Sequence, residues 1–91
     1  MPSSLSIAVV VVNWNAGDYL KKCIQSLKTQ TLKPNRVIVV DNASTDDSIN
    51  GLGEEFGNFE IIKLKENTGF SFANNLAVKK AYDCDWIAFL N

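Results

Sequence analysis

Three short polar turns carry the residues of this chain best suited to bind a ligand. Asn13-Trp14-Asn15 follows the apolar run from Ser6 to Val12. Asp41-Asn42, with Ser44, follows Arg36 to Val40, and Asn67-Thr68-Gly69 follows Phe59 to Lys65. Together they offer many hydrogen-bonding groups, one well-placed carboxylate and one aromatic face. That set suits recognition of a base and a ribose better than acid–base work. Asp41, at the end of an apolar strand, can accept hydrogen bonds from a base N–H or from sugar hydroxyls. It is also a residue type that closes turns and caps helices, and Asn13 and Asn15 can bond their own backbone in the same way. Trp14 can stack on a base or roof the core. Gly69 suits a left-handed backbone or the close approach of a ligand. Asn74 and Asn75 stand near the start of the next helical segment, where they can face the same rim or solvent.

The elements that must position these turns are legible from periodicity. Ser6 to Val12 is an almost unbroken β-branched run, as expected of a strand covered on both faces. From Asp18, Leu20, Cys23, Ile24 and Leu27 recur at helical spacing, with Lys21, Lys22, Gln25 and Lys28 on the other side. Arg36 to Val40 is a second buried strand. Ser44 and Asp47 resemble a capping box, ahead of a short helix carrying Ile49, Leu52 and Phe56. Asp46 and Asp47 read as charges favourable at a helix start. Phe59 to Lys65 is a third strand, its Glu60, Lys63 and Lys65 suiting an exposed edge. Phe72, Ala73, Leu76, Ala77 and Lys80 give another helix, and Trp86 to Leu90 a fourth strand. The order βαβαβαβ predicts an α/β fold of three layers, a parallel sheet with helices on its faces. Right-handed crossovers restrict the strand order to 3-2-1-4, with a switch point between strands 1 and 4.

Composition narrows the function classes. The chain has 91 residues, 46% of them hydrophobic, with a formal net charge of −1, so it holds a core but no basic stripe for nucleic acid. No apolar run approaches the roughly 20 residues of a membrane span. Met1-Pro2-Ser3-Ser4 lacks the features of a secretory signal, so an intracellular setting is expected. Histidine is absent, which removes Ser-His and Cys-His nucleophile systems from this chain. Cys23 and Cys84 form no CxxC pair and are expected to be buried free thiols. The turn Asn13 to Asp18 has one glycine where a dinucleotide fingerprint needs three, and no Walker A lysine motif is present. A receiver-like domain would need clustered acids after strand 1, and Asn13-Trp14-Asn15 supplies none. A nucleotide-binding or regulatory α/β module without catalysis remains an alternative to an enzyme.

Three segments in order, Val9 to Asn15, Val39 to Asp46 and Asn67 to Asn75, resemble the start of family 2 glycosyltransferases. The Asn-x-Gly-Phe segment is most similar to the bacterial rhamnosyltransferase-type branch. The resemblance implies a GT-A fold, of which residues 1–91 are the N-terminal, Rossmann-like nucleotide-sugar-binding part. It implies transfer of a sugar from a nucleotide-diphosphate donor with inversion, in polysaccharide or cell-envelope glycan synthesis. It implies donor contacts at Val12, Asn13, Trp14, Asn15 and Asp41, with Asn67, Thr68 and Gly69 nearby. Asn42, Ser44, Asn74 and Asn75 fall within the matched segments and join them as candidates. The family's metal motif follows the fourth strand, beyond Leu90-Asn91, as do its catalytic base and acceptor site. The chain is therefore expected to be truncated and inactive alone, with no cofactor of its own. A divalent metal, manganese or magnesium, is expected in the complete enzyme. The expected location is cytoplasmic, or the inner face of the membrane for the full-length protein. Because Trp86 to Leu90 carries neither charge nor proline, self-association through this strand is also expected.

Overall fold

The computed structural model describes residues 6–29, 34–49 and 59–90. Strands β1 (Ile7–Asn13), β2 (Arg36–Asp41), β3 (Glu60–Lys63) and β4 (Trp86–Leu90) form one parallel sheet in the order β3-β2-β1-β4. Helices α1 (Asp18–Lys28) and α2 (Phe70–Lys80) cover its two faces. This is the expected α/β arrangement and strand order. The short helix expected over Ile49, Leu52 and Phe56 lies, beyond Ile49, outside the described residues.

The sheet divides the interior because successive strand residues point to opposite faces. On one face Ala8, Val10, Ile38 and Val40 meet Ala73, Ala77 and Ala81, all fully buried. On the other, Val9, Val11 and Val39 meet Leu20, Ile24 and Leu27. The helices use different means: α1 reaches the sheet with branched side chains, whereas α2 lies close over it on an alanine stripe. That stripe sets the phase of α2. Phe72 is one position away, about 100° around the helix, and stands 54% exposed instead of entering the core as its spacing suggested. The helix also starts at Phe70, two residues before the first residue of the expected stripe.

Cys23 packs with the α1-side core and Cys84 with the α2-side core, so the sheet stands between the two thiols. Both are free and only half-buried, less enclosed than their apolar settings suggested, and burial raises the Cys23 thiol above its ordinary pKa. The sheet edges differ. β3 is short, ending at Lys63 rather than Lys65, and Glu60 on it pairs with Arg36. β4 presents Trp86 and Phe89 at 61% and 49% exposure. At the amino ends of the strands, Ser6 donates from its backbone N–H to Asp85 Oδ2 at 2.9 Å, and Asp85 N–H returns a bond to Ser6 Oγ at 3.0 Å. All the candidate turns lie at the other end.

Candidate functional site

The parallel register sets Asn13, the last residue of β1, beside Asp41, the last of β2. Asn13 is 1% exposed, Asp41 7% and the following Asn42 3%. Buried polar groups of this kind need partners, and the second turn supplies them. Asn13 Nδ2 donates to Asp41 Oδ1 at 3.1 Å, Ser44 Oγ at 3.0 Å and Ser48 Oγ at 2.8 Å. Ser44 donates its hydroxyl hydrogen to the same Asp41 Oδ1 and accepts the Asn15 N–H at 2.9 Å. Asn15 sits at φ 51° and turns its Oδ1 to the Thr45 and Asp46 N–H groups, at 2.7 and 3.2 Å. Asp46 then closes the knot. Its Oδ2 accepts the Gly17 N–H at the start of α1, at 3.0 Å. Its Oδ1 accepts from both the hydroxyl and the N–H of Ser48. The Ser48 hydroxyl foremost, then the two backbone N–H groups, hold the Asp46 carboxyl below the ordinary aspartate range.

The expected capping box is therefore not what Ser44 and Asp47 form. Ser44 is spent on Asp41, Asn13 and Asn15, and the carboxylate that serves a helix start is Asp46, acting on α1 from the neighbouring turn.

Asn42 joins the third turn to the second. Its Oδ1 accepts the Thr68 N–H at 2.8 Å and its Nδ2 donates to the Gly69 carbonyl at 3.2 Å. Asn67 Oδ1 accepts the Gly69 N–H at 2.9 Å, and Gly69 turns into α2 at φ 87°, a conformation that side chains disfavour. Two clefts open beside this framework. One, of about 510 Å³, is lined by Val12, Trp14, Ala16, Asn42, Asn67 and Phe70, with Trp14 58% and Phe70 48% exposed. The other, of about 460 Å³, lies between the ends of β2 and β3, where Asp41, Ser44 and Thr45 face Lys63 and Lys65.

The candidates thus separate by place. Val12, Trp14, Asn42 and Asn67 line the aromatic cleft, and Asp41 and Ser44 line its neighbour. Asn13, Asn15 and Gly69 serve the framework. Asn74 is half-buried and Asn75 exposed in the first turns of α2, and among the described residues no hydrogen bond joins them to the knot. Sequence reasoning missed Ser48 and Phe70 as site residues. The Asp46-x-Ser48 spacing, which lets an aspartate accept the N–H two residues on, was the available signal for the first. For Phe70 it was adjacency to Gly69. Among the described residues no three histidine, cysteine, aspartate or glutamate side chains converge as metal ligands.

The glycosyl transferase family 2 model matches residues 8–91. The chain belongs to that family. It is 30% identical over 87 residues to the O-antigen chain rhamnosyltransferase RfbN of Salmonella typhimurium, covering 94% of this chain and 27% of that protein. It is 30% identical over 78 residues to the teichoic acid poly(glycerol phosphate) polymerase of Staphylococcus epidermidis, covering 81% of this chain and 11% of the relative. The crystal structure of S. aureus TarS superposes with a TM-score of 0.82 at 25% identity, over 94% of this chain and 16% of that one. The chain thus spans about a quarter or less of the length of these proteins. Its fold is the Rossmann-like part of a GT-A glycosyltransferase. Among the described residues no helix is long and apolar enough to cross a membrane.

Proposed function

We propose that this family 2 domain supplies the donor-nucleotide half-site of an enzyme that moves a sugar from a nucleotide diphosphate to an acceptor with inversion. One observation carries the reading: at the carboxyl ends of parallel strands, a carboxylate held by a single oxygen lines one cleft and two exposed aromatic rings wall the neighbouring one. Asp41 Oδ1 takes both bonds from Asn13 and Ser44, and among the described residues no donor is paired with Oδ2. That oxygen is the acceptor offered to a base N–H or a ribose hydroxyl. Trp14 and Phe70 offer apolar faces on which a planar base can lie. Ligands of open α/β sheets bind at this position, outside the carboxyl ends of the strands.

The similarity to an O-antigen rhamnosyltransferase and to a teichoic acid polymerase supports assembly of a bacterial cell-envelope glycan, with a rhamnosyltransferase-type branch favoured by the Asn67-Thr68-Gly69-Phe70 turn. A departing diphosphate gathers negative charge that a cation must stabilise, and the acceptor must lose a proton to a base. Manganese or magnesium bound by the complete enzyme would supply that positive charge. The residues of this chain bind and orient the nucleotide, and the chain alone binds weakly without turning over. Titration with UDP and dTDP, with and without manganese, followed by amide NMR, tests the reading. Shifts centred on Trp14, Asp41, Asn67 and Phe70 are expected. A folded spectrum unmoved by either nucleotide at millimolar concentration would refute it.

A further inference from the structure

We infer that Asp46, acting through Ser48 and Asn13, is a positioning residue that fixes which oxygen of Asp41 faces a ligand. The inference rests on the reading of Asp41 as a ligand acceptor, and goes beyond it by assigning a control to Asp46, on the wall of the second cleft, through Ser48 and Asn13, which line neither.

Counting hydrogens decides which group donates to which. A serine hydroxyl has one hydrogen, and an ionised carboxylate can only accept. Ser48 therefore gives its hydrogen to Asp46 Oδ1 and has only lone pairs left for Asn13 Nδ2, 2.8 Å away. Ser44 is in the same position: its hydrogen goes to Asp41 Oδ1, and its lone pairs receive Asn13 Nδ2 and the Asn15 N–H. Every group around the Asn13 amide nitrogen is then an acceptor. A carboxamide turned over by 180° would set its oxygen against three oxygens with no hydrogen to give. Asp46 thus makes Ser48 a third acceptor, beside Asp41 Oδ1 and Ser44 Oγ, that holds Asn13 in one of two orientations, and that orientation delivers an N–H to Asp41 Oδ1.

The arrangement has a cost that supports the assignment. With the two hydrogens of its nitrogen shared among three acceptors, Asn13 leaves Oδ1 buried and without a partner. Such an atom is costly at this burial, because its lost hydration is not replaced. Turning the amide over gives no relief, because it would leave the NH₂ group at that unpartnered position and set the oxygen against Asp41 Oδ1. Take Asp46 away and the Ser48 hydroxyl is free to turn, so it no longer stands as a fixed acceptor for the Asn13 nitrogen. The bond from Asn13 to Asp41 Oδ1 then loosens, and with it the hold on that carboxylate oxygen. Asp46 itself is held by the Gly17 and Ser48 N–H groups, so the control also registers the position of the α1 start.

Ser48→Thr and Ser48→Val test the inference, because both add similar bulk at a site only 5% exposed and differ in the hydroxyl alone. In the free protein the Asn13 side-chain NH₂ signals and the Asp41 carboxyl carbon shift are read by NMR. In parallel, UDP and dTDP dissociation constants are measured. Relative to Ser48→Thr, Ser48→Val is expected to move the Asn13 and Asp41 signals and to weaken nucleotide binding about tenfold. Asp46→Ala should move the same signals. Coincident Asn13 and Asp41 signals in the two Ser48 variants would overturn the inference, whatever the nucleotide does. Moved signals with equal dissociation constants would overturn its link to the ligand. Moved signals in a protein whose native form binds neither nucleotide would support the positioning of Asp41 and refute the donor reading instead.

Discussion

Two regions a few residues apart on the same rim are built on opposite terms. The knot around Asn13, Asp41 and Asn42 is buried and polar, with side-chain and backbone groups bonded across three turns. The cleft beside it is open and apolar, walled by Trp14 and Phe70. The knot spends its hydrogen-bonding capacity on itself and leaves little for a ligand beyond one Asp41 oxygen. The cleft spends almost nothing on the fold. Stability and binding are therefore lodged mostly in different residues, with Asp41 and Asn42 belonging to both, and substitution can separate them.

The largest effect is expected on the knot side. Asn42→Ala removes the acceptor of the Thr68 N–H and the donor to the Gly69 carbonyl in one step. It should destabilise the chain by about 2–3 kcal/mol, the scale for leaving buried polar groups unsatisfied. Urea unfolding would register it as a lower midpoint with an unchanged slope. A loss below about 0.5 kcal/mol would mean that water satisfies the third turn and that the knot does not clamp it.

Trp14→Ala is the complementary change. The ring is 58% exposed, so unfolding should shift by no more than about 0.5 kcal/mol, as for surface substitutions generally. Nucleotide affinity should nonetheless fall about tenfold, within the range of ring–base stacking energies. Phe70→Ala should behave alike, with a somewhat smaller loss. If Trp14→Ala lowered stability as much as Asn42→Ala, the cleft would belong to the core and the contrast would collapse.

A parallel contrast exists between the two sheet edges. Glu60 and Lys63 put charge along β3, whereas β4 shows Trp86 and Phe89 to solvent. Bare apolar edges pair with other strands, so we propose that the isolated chain self-associates through β4. Phe89→Lys should lower the weight-average mass in sedimentation equilibrium, and Lys63→Ala should leave it unchanged. A native chain that is monomeric at high concentration would remove the proposal.

How much of this was legible in the sequence depends on what each residue competes with. The strands and their order followed from β-branched runs separated by short turns, because alternation and right-handed crossover leave few arrangements. The convergence of three turns followed from the same rule. What did not follow was the division of labour among chemically similar residues. Asn13, Asn42, Asn67 and Asn75 are one residue type, yet two are buried connectors and two are exposed. Their roles are set by register across strands, Asn13 beside Asp41 above all, which lies outside any local window. The phase of α2 was read only in part, with Ala73 and Ala77 placed inside and Phe72 wrongly among them, for a related reason. Alanine carries a weak hydrophobic signal, so the neighbouring Phe72 dominated the reading although Ala73, Ala77 and Ala81 are the residues small enough to let the helix approach.

The smallest expected effect is a pH dependence, and it sharpens the same comparison. Asp46 is exposed, but the Ser48 hydroxyl and the Gly17 and Ser48 N–H groups all favour its ionised form and lower its pKa. A carboxyl whose pKa is depressed by folding adds stability above its unfolded value, and that contribution is lost as pH falls through the folded one. Stability should therefore decline slightly on acidification below the ordinary aspartate range. Asp46→Asn should flatten that part of the profile, whereas Asp47→Asn should not. The nucleotide should lose affinity over the same acid range, since a protonated Asp46 releases the Ser48 hydrogen and with it the orientation of Asn13. Unchanged acid-range profiles in Asp46→Asn, for both unfolding and binding, would place Asp46 outside the knot, and the rim would then be organised by Ser44 alone.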